Sequence, residues 1–176
     1  MDLPKVDVKK ILYATDLSEN ARYAFAYAVS LANLYDAAIT FIHVLPEVPT
    51  RLDKSVIGYI SEDRWEEIKA QNVEEAKEAI IGKSREHLSI RDALHQFSEN
   101  VKENREGNDF VTDDIIVVRG NAVEEILKHS HKSNCDLIVM GTHGQGTLAD
   151  AMIGSTARRV LRRSVKPVLV VRLPAE

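Results

Sequence analysis

The amino-acid sequence predicts an α/β fold, a doubly wound open sheet of five parallel strands. Two observations lead to this prediction. Segments with strand-like and helix-like hydrophobic patterns alternate along most of the 176 residues, and the strand-like segments are short, nearly continuous apolar runs. Such runs are typical of parallel strands that are covered by helices on both faces. Because crossovers between parallel strands are right-handed, ligands of these folds bind beyond the carboxyl ends of the strands, where the strand order reverses.

Hydrophobic periodicity assigns the elements in chain order. The predicted strands are residues 11–14, 38–44, 114–118, 136–140 and 168–171. Helices are predicted at residues 19–35, 122–131 and 155–163, and residues 61–101 are helical in character, as one kinked helix or two. Either Asp16 or Ser18 is placed to cap the first helix.

Composition and charge narrow the classes of function. The formal net charge of −4 argues against a nucleic-acid-binding protein, which usually carries a basic surface. Cys135 is the only cysteine, which excludes an intrachain disulfide and a zinc site built from cysteines. No apolar run approaches the ~20 residues that span a bilayer, and residues 1–10 lack the apolar core of a signal peptide. We therefore expect a cytoplasmic protein without a membrane partner.

A glycine-rich segment after the fourth strand carries the most chemical information. It runs from Gly141 through Gly144 to Gly154, directly before the last predicted helix. Glycines allow the backbone to approach a ligand closely, and the N–H groups at the start of a helix attract an anion. The hydroxyl of Ser155 or Thr156 can donate to a phosphate oxygen. The position between a strand and a helix favours a phosphate site over a plain surface loop.

Two better-known phosphate-binding motifs do not account for this segment. A Walker A loop requires Gly, four residues, and then Gly-Lys-Ser or Gly-Lys-Thr. The glycine-rich segment contains no Gly-Lys pair, and the triplet Gly82-Lys83-Ser84 elsewhere in the sequence has Lys77 where the motif needs its first glycine. Residues 144–149 match the glycine spacing of a dinucleotide fingerprint, but they follow the fourth strand rather than the first. No acidic residue lies near position 166 to bind a ribose, so we interpret this match as coincidence.

The sequence resembles the universal stress protein family. Gly141, two residues, Gly144, nine residues and then Gly154-Ser155 reproduce the family's ATP-binding signature. The flanking residues 136–144 and 167–171 match as well, and the opening 11–18 looks like the family's first strand with its acidic residue. The resemblance spans nearly the whole chain and is weakest at about 45–112. We therefore expect a single domain over residues 1–176, with a variable helical segment at about 45–112.

The resemblance implies a strand order of 3-2-1-4-5, with ATP and a divalent cation, Mg²⁺ or Mn²⁺, at the switch between strands one and four. It implies that Asp16 approaches the ribose or adenine and that Val44 and Met140 line the adenine. Family members commonly form a homodimer through the last strand, here residues 168–171. The full set of candidate nucleotide-binding residues is Ala14, Thr15, Asp16, Val44, Gly120, Met140, Gly141, Thr142, His143, Gly144, Gly154, Ser155 and Thr156.

The remaining polar residues do not predict catalysis. His143 has no neighbouring nucleophile or second carboxylate in the sequence, so no catalytic residue is proposed. The spacing of His129 and His131 does not suit a zinc site, and a solvated surface role is favoured for both. A solvated face is also favoured for the basic helix that contains Arg158 and Arg163.

The predicted function is therefore that of an ATP-binding regulatory module in a stress response. Two alternatives stay open: an enzyme with slow ATP hydrolysis or phosphoryl or adenylyl transfer, and an interaction protein that does not depend on nucleotide. The sequence does not identify a protein partner. Contacts to adenine and ribose would serve AMP as well as ATP.

Overall fold

The computed structural model describes residues 3, 5–46, 87–103, 110–142 and 153–173, and its five strands form one parallel sheet. The strands are β1 (Lys10–Thr15), β2 (Ala38–Leu45), β3 (Val111–Arg119), β4 (Leu137–Gly141) and β5 (Val168–Val171). Their order is β3-β2-β1-β4-β5, which confirms the predicted doubly wound fold. The order reverses between β1 and β4, since the chain runs from β1 outward to β3 and then crosses back to β4.

Four helical segments in the described part of the chain accompany the sheet. They are α1 (Glu19–Tyr35), α2 (residues 87–103), α3 (Ala122–Lys132) and α4 (Ser155–Arg163). Of the predicted helical stretch 61–101, only residues 87–101 belong to the described part of the chain, and they are helical. Within the described ranges, none of the helices has the length and apolar character needed to cross a membrane.

The third strand begins three residues earlier than predicted, at Val111 rather than at residue 114. Asp113 lies in the part of the strand that was not predicted. In the structure, the Asp113 carboxylate accepts hydrogen bonds from Lys10 Nζ at 2.9 Å and from Thr40 Oγ1 at 3.0 Å. These two partners stabilise the charge, so the strand extends through it.

The face of the sheet under α1 and α2 is packed with aromatic side chains. Phe25 of α1 is at the centre, with its ring centroid 4.9 Å from Tyr13, 5.1 Å from Phe41, 5.1 Å from Phe97 and 5.6 Å from Phe110. Aromatic pairs at such distances add to the stabilisation from burial. The cluster fixes the position of α1 on β1 and also ties α2 to the sheet.

The opposite face of the sheet is packed under α3 and α4. Leu12 of β1 lies there in one apolar cluster with Ile126 of α3 and Val160 of α4. Since side chains alternate along a strand, Ala14 and Met140 at the carboxyl ends of β1 and β4 belong to the same cluster. They therefore lie where α3, α4 and the strand ends meet.

Candidate functional site

A cleft of about 290 Å³ lies at the carboxyl ends of β1 and β4, where the strand order reverses. Its volume is close to the lower end of the ~300–1,000 Å³ typical of small-molecule sites. Ten of the thirteen candidate residues line it, namely Ala14, Thr15, Asp16, Val44, Met140, Gly141, Thr142, Gly154, Ser155 and Thr156. Four lining residues were not among the candidates, namely Ile42, Ala122, Ile126 and Ala157.

One candidate among the described residues, Gly120, does not line this cleft. Gly120 lies beside it, in a neighbouring hollow that shares Val44 and Ala122 with the cleft. Gly120 has a φ of 153°, and its N–H donates to the Leu45 carbonyl at 3.0 Å, so it forms the turn between β3 and α3. His143 and Gly144 lie outside the described residues.

The turn after β1 shows which residue caps α1. Ser18 is the N-cap, and its Oγ accepts from the Ala21 N–H at 3.1 Å. Asp16 Oδ1 accepts from the Ser18 N–H at 3.1 Å, which orders the turn that leads to the cap. Leu17 between them has a φ of 66°, a conformation that side chains seldom adopt. Asp16 is thus half-buried at the rim of the cleft, within a locally fixed backbone.

A buried histidine supports the end of β1. His43 of β2 lies directly opposite Thr15 in the parallel ladder, and its Nδ1 is 2.9 Å from the Thr15 carbonyl oxygen. A carbonyl oxygen only accepts, so the Nδ1 carries the proton and donates. The sequence analysis did not single out His43. An isolated histidine in an apolar run gives no sign of this role.

Gly141 allows α1 to approach the end of β4 closely. A Cβ placed on Gly141 would lie 3.1 Å from both Cγ and Nδ2 of Asn20 and 3.3 Å from the Asn20 backbone carbon. These distances are shorter than ordinary van der Waals contacts. The first glycine of the loop signature therefore has a packing role against α1, in addition to its place on the cleft.

Thr142 joins three parts of the structure. Its side-chain oxygen accepts from Asn20 Nδ2 at 3.1 Å. Its N–H donates to the Val171 carbonyl at 2.9 Å, and its carbonyl accepts from the Gly154 N–H at 2.8 Å. One backbone hydrogen bond, between Thr142 and Gly154, therefore joins the two ends of the glycine-rich segment.

The N-terminus of α4 opens on the cleft without a capping side chain from its N-cap residue. The N-cap of α4 is Gly154, which has no side chain, whereas α1 and α3 are capped by Ser18 and Asn121. Ser155 and Thr156 are the first residues of α4, and both line the cleft. The first N–H groups of a helix have no partner within the helix and carry a partial positive charge. This end of the cleft is suited to an anion.

An ion pair joins α3 and α4, the two helices beside the cleft. Arg163 of α4 donates through both terminal nitrogens to the Glu124 carboxylate of α3. The guanidinium holds the pKa of the Glu124 carboxyl below its usual value. Arg158 is exposed, as predicted, but Arg163 is not simply solvated, because it bridges to the neighbouring helix.

Two side chains in and directly after α3 are buried. His129 was predicted to be solvated but is buried, 3.5 Å from the Glu125 carboxylate, and its burial lowers its pKa. Cys135 is buried completely, and burial raises the pKa of its thiol to about 11. The thiol is therefore protonated at neutral pH and is not an activated nucleophile. Within the described ranges, no three His, Cys, Asp or Glu side chains are grouped to hold a metal ion.

Comparison with known proteins identifies the family. The model of the universal stress protein family matches residues 7–172. The chain belongs to the universal stress protein family. Among its relatives, universal stress protein MJ0577 of Methanocaldococcus jannaschii is 33% identical over 177 residues, covering 93% of this chain and 94% of the relative. Universal stress protein YxiE of Bacillus subtilis is 30% identical over 164 residues, covering 93% of this chain and 98% of the relative.

Solved structures of family members share this fold. The MJ0577 structure superposes with a TM-score of 0.60 at 30% identity, and it covers 97% of this chain and 100% of that chain. Universal stress protein UspA from Lactobacillus plantarum superposes with a TM-score of 0.64 at 21% identity, over 96% of this chain and 100% of that chain. The five-stranded sheet and its order are thus those of universal stress proteins.

Proposed function

We propose that this universal stress protein is a single-domain ATP-binding module whose regulatory role in the stress response depends on the bound nucleotide. The observation that carries the proposal is the position of the α4 N-terminus. Gly154, Ser155 and Thr156 open this helix on the cleft at the switch between β1 and β4. Helix N-termini bind phosphate groups through their N–H groups, and α/β folds bind nucleotides at such switch points.

The other end of the cleft suits a planar base and a sugar. Ala14, Ile42, Val44 and Met140 give it apolar walls at the ends of β1, β2 and β4. An adenine ring would pack between these side chains. Asp16 at the rim would accept hydrogen bonds from ribose hydroxyls, because an ionised carboxylate is an acceptor.

The triphosphate would extend towards Ser155 and Thr156, whose hydroxyls can donate to phosphate oxygens. Gly144, the middle glycine of the signature, would contribute to the same end. A divalent cation, Mg²⁺ or Mn²⁺, would accompany ATP and take phosphate oxygens among its ligands, as Mg²⁺ commonly does in nucleotide sites.

The binding test includes cAMP because of a more distant family member. That universal stress protein was crystallised in complex with cAMP. It superposes on 95% of this chain and 98% of its own chain, with a TM-score of 0.58 at 17% identity. At this identity the likeness supports the shared fold only. We favour ATP because the α4 N-terminus adds anion-binding groups beyond a base and a sugar.

The proposal is tested by measuring nucleotide binding by calorimetry with ATP and Mg²⁺, AMP and cAMP. Gly154→Val should abolish ATP binding while far-UV circular dichroism stays unchanged, because its side chain would occupy the space that the phosphates approach. Ala26→Val adds a comparable side chain at an exposed position of α1 and should bind ATP as the wild type does. A wild-type protein that ignores ATP, or equal affinity in wild type and Gly154→Val, would contradict the proposal.

We further propose that β5 pairs with its own copy in a homodimer. Among the strands of the described residues, β5 is the last in the sheet order, and β4 is its one neighbour. The carbonyls of Pro167 and Val171 accept from the β4 side, so by alternation the backbone groups of Val168 and Val170 point to the outer edge. An apolar edge with unpaired backbone groups is a template for pairing with another strand.

A further inference from the structure

Asn20 reaches the base of the glycine-rich segment from outside the cleft. Its side chain is buried, with 6% of the residue exposed, and it does not line the cleft. Asn20 Nδ2 donates to Thr142 Oγ1 at 3.1 Å, and Thr142 is equally buried. Breaking a buried hydrogen bond of this kind costs free energy, because water cannot replace the lost partner.

This bond depends on the bare backbone of Gly141. The amide of Asn20 lies over Gly141, so close that a Cβ on that residue would be 3.1 Å from two atoms of the amide, which is tighter than an ordinary van der Waals contact. The glycine therefore allows the first turn of α1 to come close enough for Asn20 to reach the next residue. Gly141 at the end of β4 and Thr142 directly after it thus both contact the side chain of Asn20 in α1.

Thr142, which Asn20 holds in place, also binds the start of α4. Its carbonyl accepts from the Gly154 N–H at 2.8 Å, and Gly154 is the N-cap of α4. The side chain of Thr142 is fixed by Asn20 and its backbone by Val171. The position of Gly154 relative to the ends of β1 and β4 is therefore set through Thr142.

We propose that Asn20 is a positioning residue for the phosphate end of the nucleotide site. It acts through Thr142, by holding the N-terminus of α4 at the distance from the strand ends that a nucleotide phosphate requires. The proposal rests on the proposed ATP-binding function. It predicts different effects at the two ends of the cleft. Asn20 supports Gly154 at the phosphate end, and it does not contact the apolar walls formed by Ala14 and Val44.

The test compares ATP with adenosine, which has the same base and sugar but no phosphate. Dissociation constants for ATP with Mg²⁺ and for adenosine are measured by calorimetry in wild type, Asn20→Ala, Thr142→Val and the double variant. Each single variant should weaken ATP binding about three- to tenfold, the range expected from one net hydrogen bond. Adenosine binding should change less than about twofold. The double variant should weaken ATP binding no more than either single variant, since all three lack the same bond.

A matched control removes a buried hydrogen bond elsewhere. Ser98 of α2 is buried, and its Oγ is 2.6 Å from Thr112 Oγ1, on the far side of β2 from the cleft. Ser98→Ala should lower the unfolding midpoint without changing either dissociation constant, which separates positioning from general loss of stability.

The outcomes are distinct. Selective loss of ATP binding in both single variants supports the positioning role. Equal weakening of ATP and adenosine, or unchanged ATP affinity in both, overturns it while the ATP-binding function stands. A wild-type protein that binds adenosine and ATP equally would overturn both the phosphate site and the role of Asn20.

Discussion

Gly141→Ala tests whether the contact between β4 and α1 is as tight as the structure indicates. Gly141 is not among the described residues with positive φ, so its backbone can accommodate alanine. At such a position the change would normally stabilise a protein by about 0.4–1 kcal/mol, because it restricts the unfolded chain. Here the new methyl group would lie 3.1 Å from the amide of Asn20 and 3.3 Å from its backbone carbon.

The collision should outweigh the entropic gain. Extra methyl groups in a well-packed site cost about 1–3 kcal/mol. Taking the middle of each range, a cost of about 2 kcal/mol less a gain of about 0.7 kcal/mol leaves an expected net loss of about 1.3 kcal/mol in the free energy of unfolding. For a chain of this length, a loss of that size lowers Tm by about 3–5 °C.

The assay is urea unfolding followed by far-UV circular dichroism, with Asn20→Ala as the partner in a double-mutant cycle. Asn20→Ala removes two of the three atoms that the new methyl group would meet, and leaves the backbone carbon at 3.3 Å. The double variant should therefore be less destabilised than the sum of the two single variants. A Gly141→Ala variant as stable as wild type, or strictly additive effects, would refute the close-contact reasoning.

Three further predictions concern the sheet edge and two buried side chains. Val170→Pro removes a backbone N–H that points to the outer edge of β5, so this variant should be a monomer by light scattering. The control variant Val170→Ala keeps the N–H and should remain dimeric. A dimeric Val170→Pro would exclude pairing through β5. Cys135, whose pKa burial raises to about 11, should react with a thiol reagent at about pH 8 only after unfolding in urea, and rapid labelling of the native protein would contradict its burial. Burial lowers the pKa of His129 below its unfolded value of about 6.5, so the unfolding free energy should fall as pH drops below about 6.5. His129→Gln should reduce that fall, and an unchanged pH dependence in this variant would assign it to other groups.

The fold followed from the sequence because its strands are nearly continuous apolar runs between amphipathic helices. Residues at the carboxyl ends of the first and fourth strands, such as Asp16 and Gly141, were expected at one site because the family resemblance implies that these strands are neighbours, and the structure brings both to one cleft. The cap of α1 was left between Asp16 and Ser18, since either side chain can accept from a helix N–H. The structure assigns the cap to Ser18.

The residues that sequence reasoning missed act through contacts between distant parts of the chain. Asn20 lies in a helix whose pattern marks only its apolar face, so nothing local shows that it reaches Thr142, 122 positions away. Ile126 was not among the candidates, because its place on the cleft depends on how α3 packs over the sheet. His129 was predicted to be solvated because helical spacing alone does not show how closely the end of α3 packs against the rest of the protein.

The hydrogen bond between Thr142 and Gly154 also bears on how the family can change in evolution. Because the chain between these residues starts and ends at one point, the free energy of closing it rises only slowly with length, by about 0.6 kcal/mol for each doubling. Insertions or deletions between positions 142 and 154 would then leave the ends of β4 and α4 where they are. Under the proposed function, changes of sequence in that segment would alter how the phosphates are bound, while the ends of β4 and α4 keep their positions.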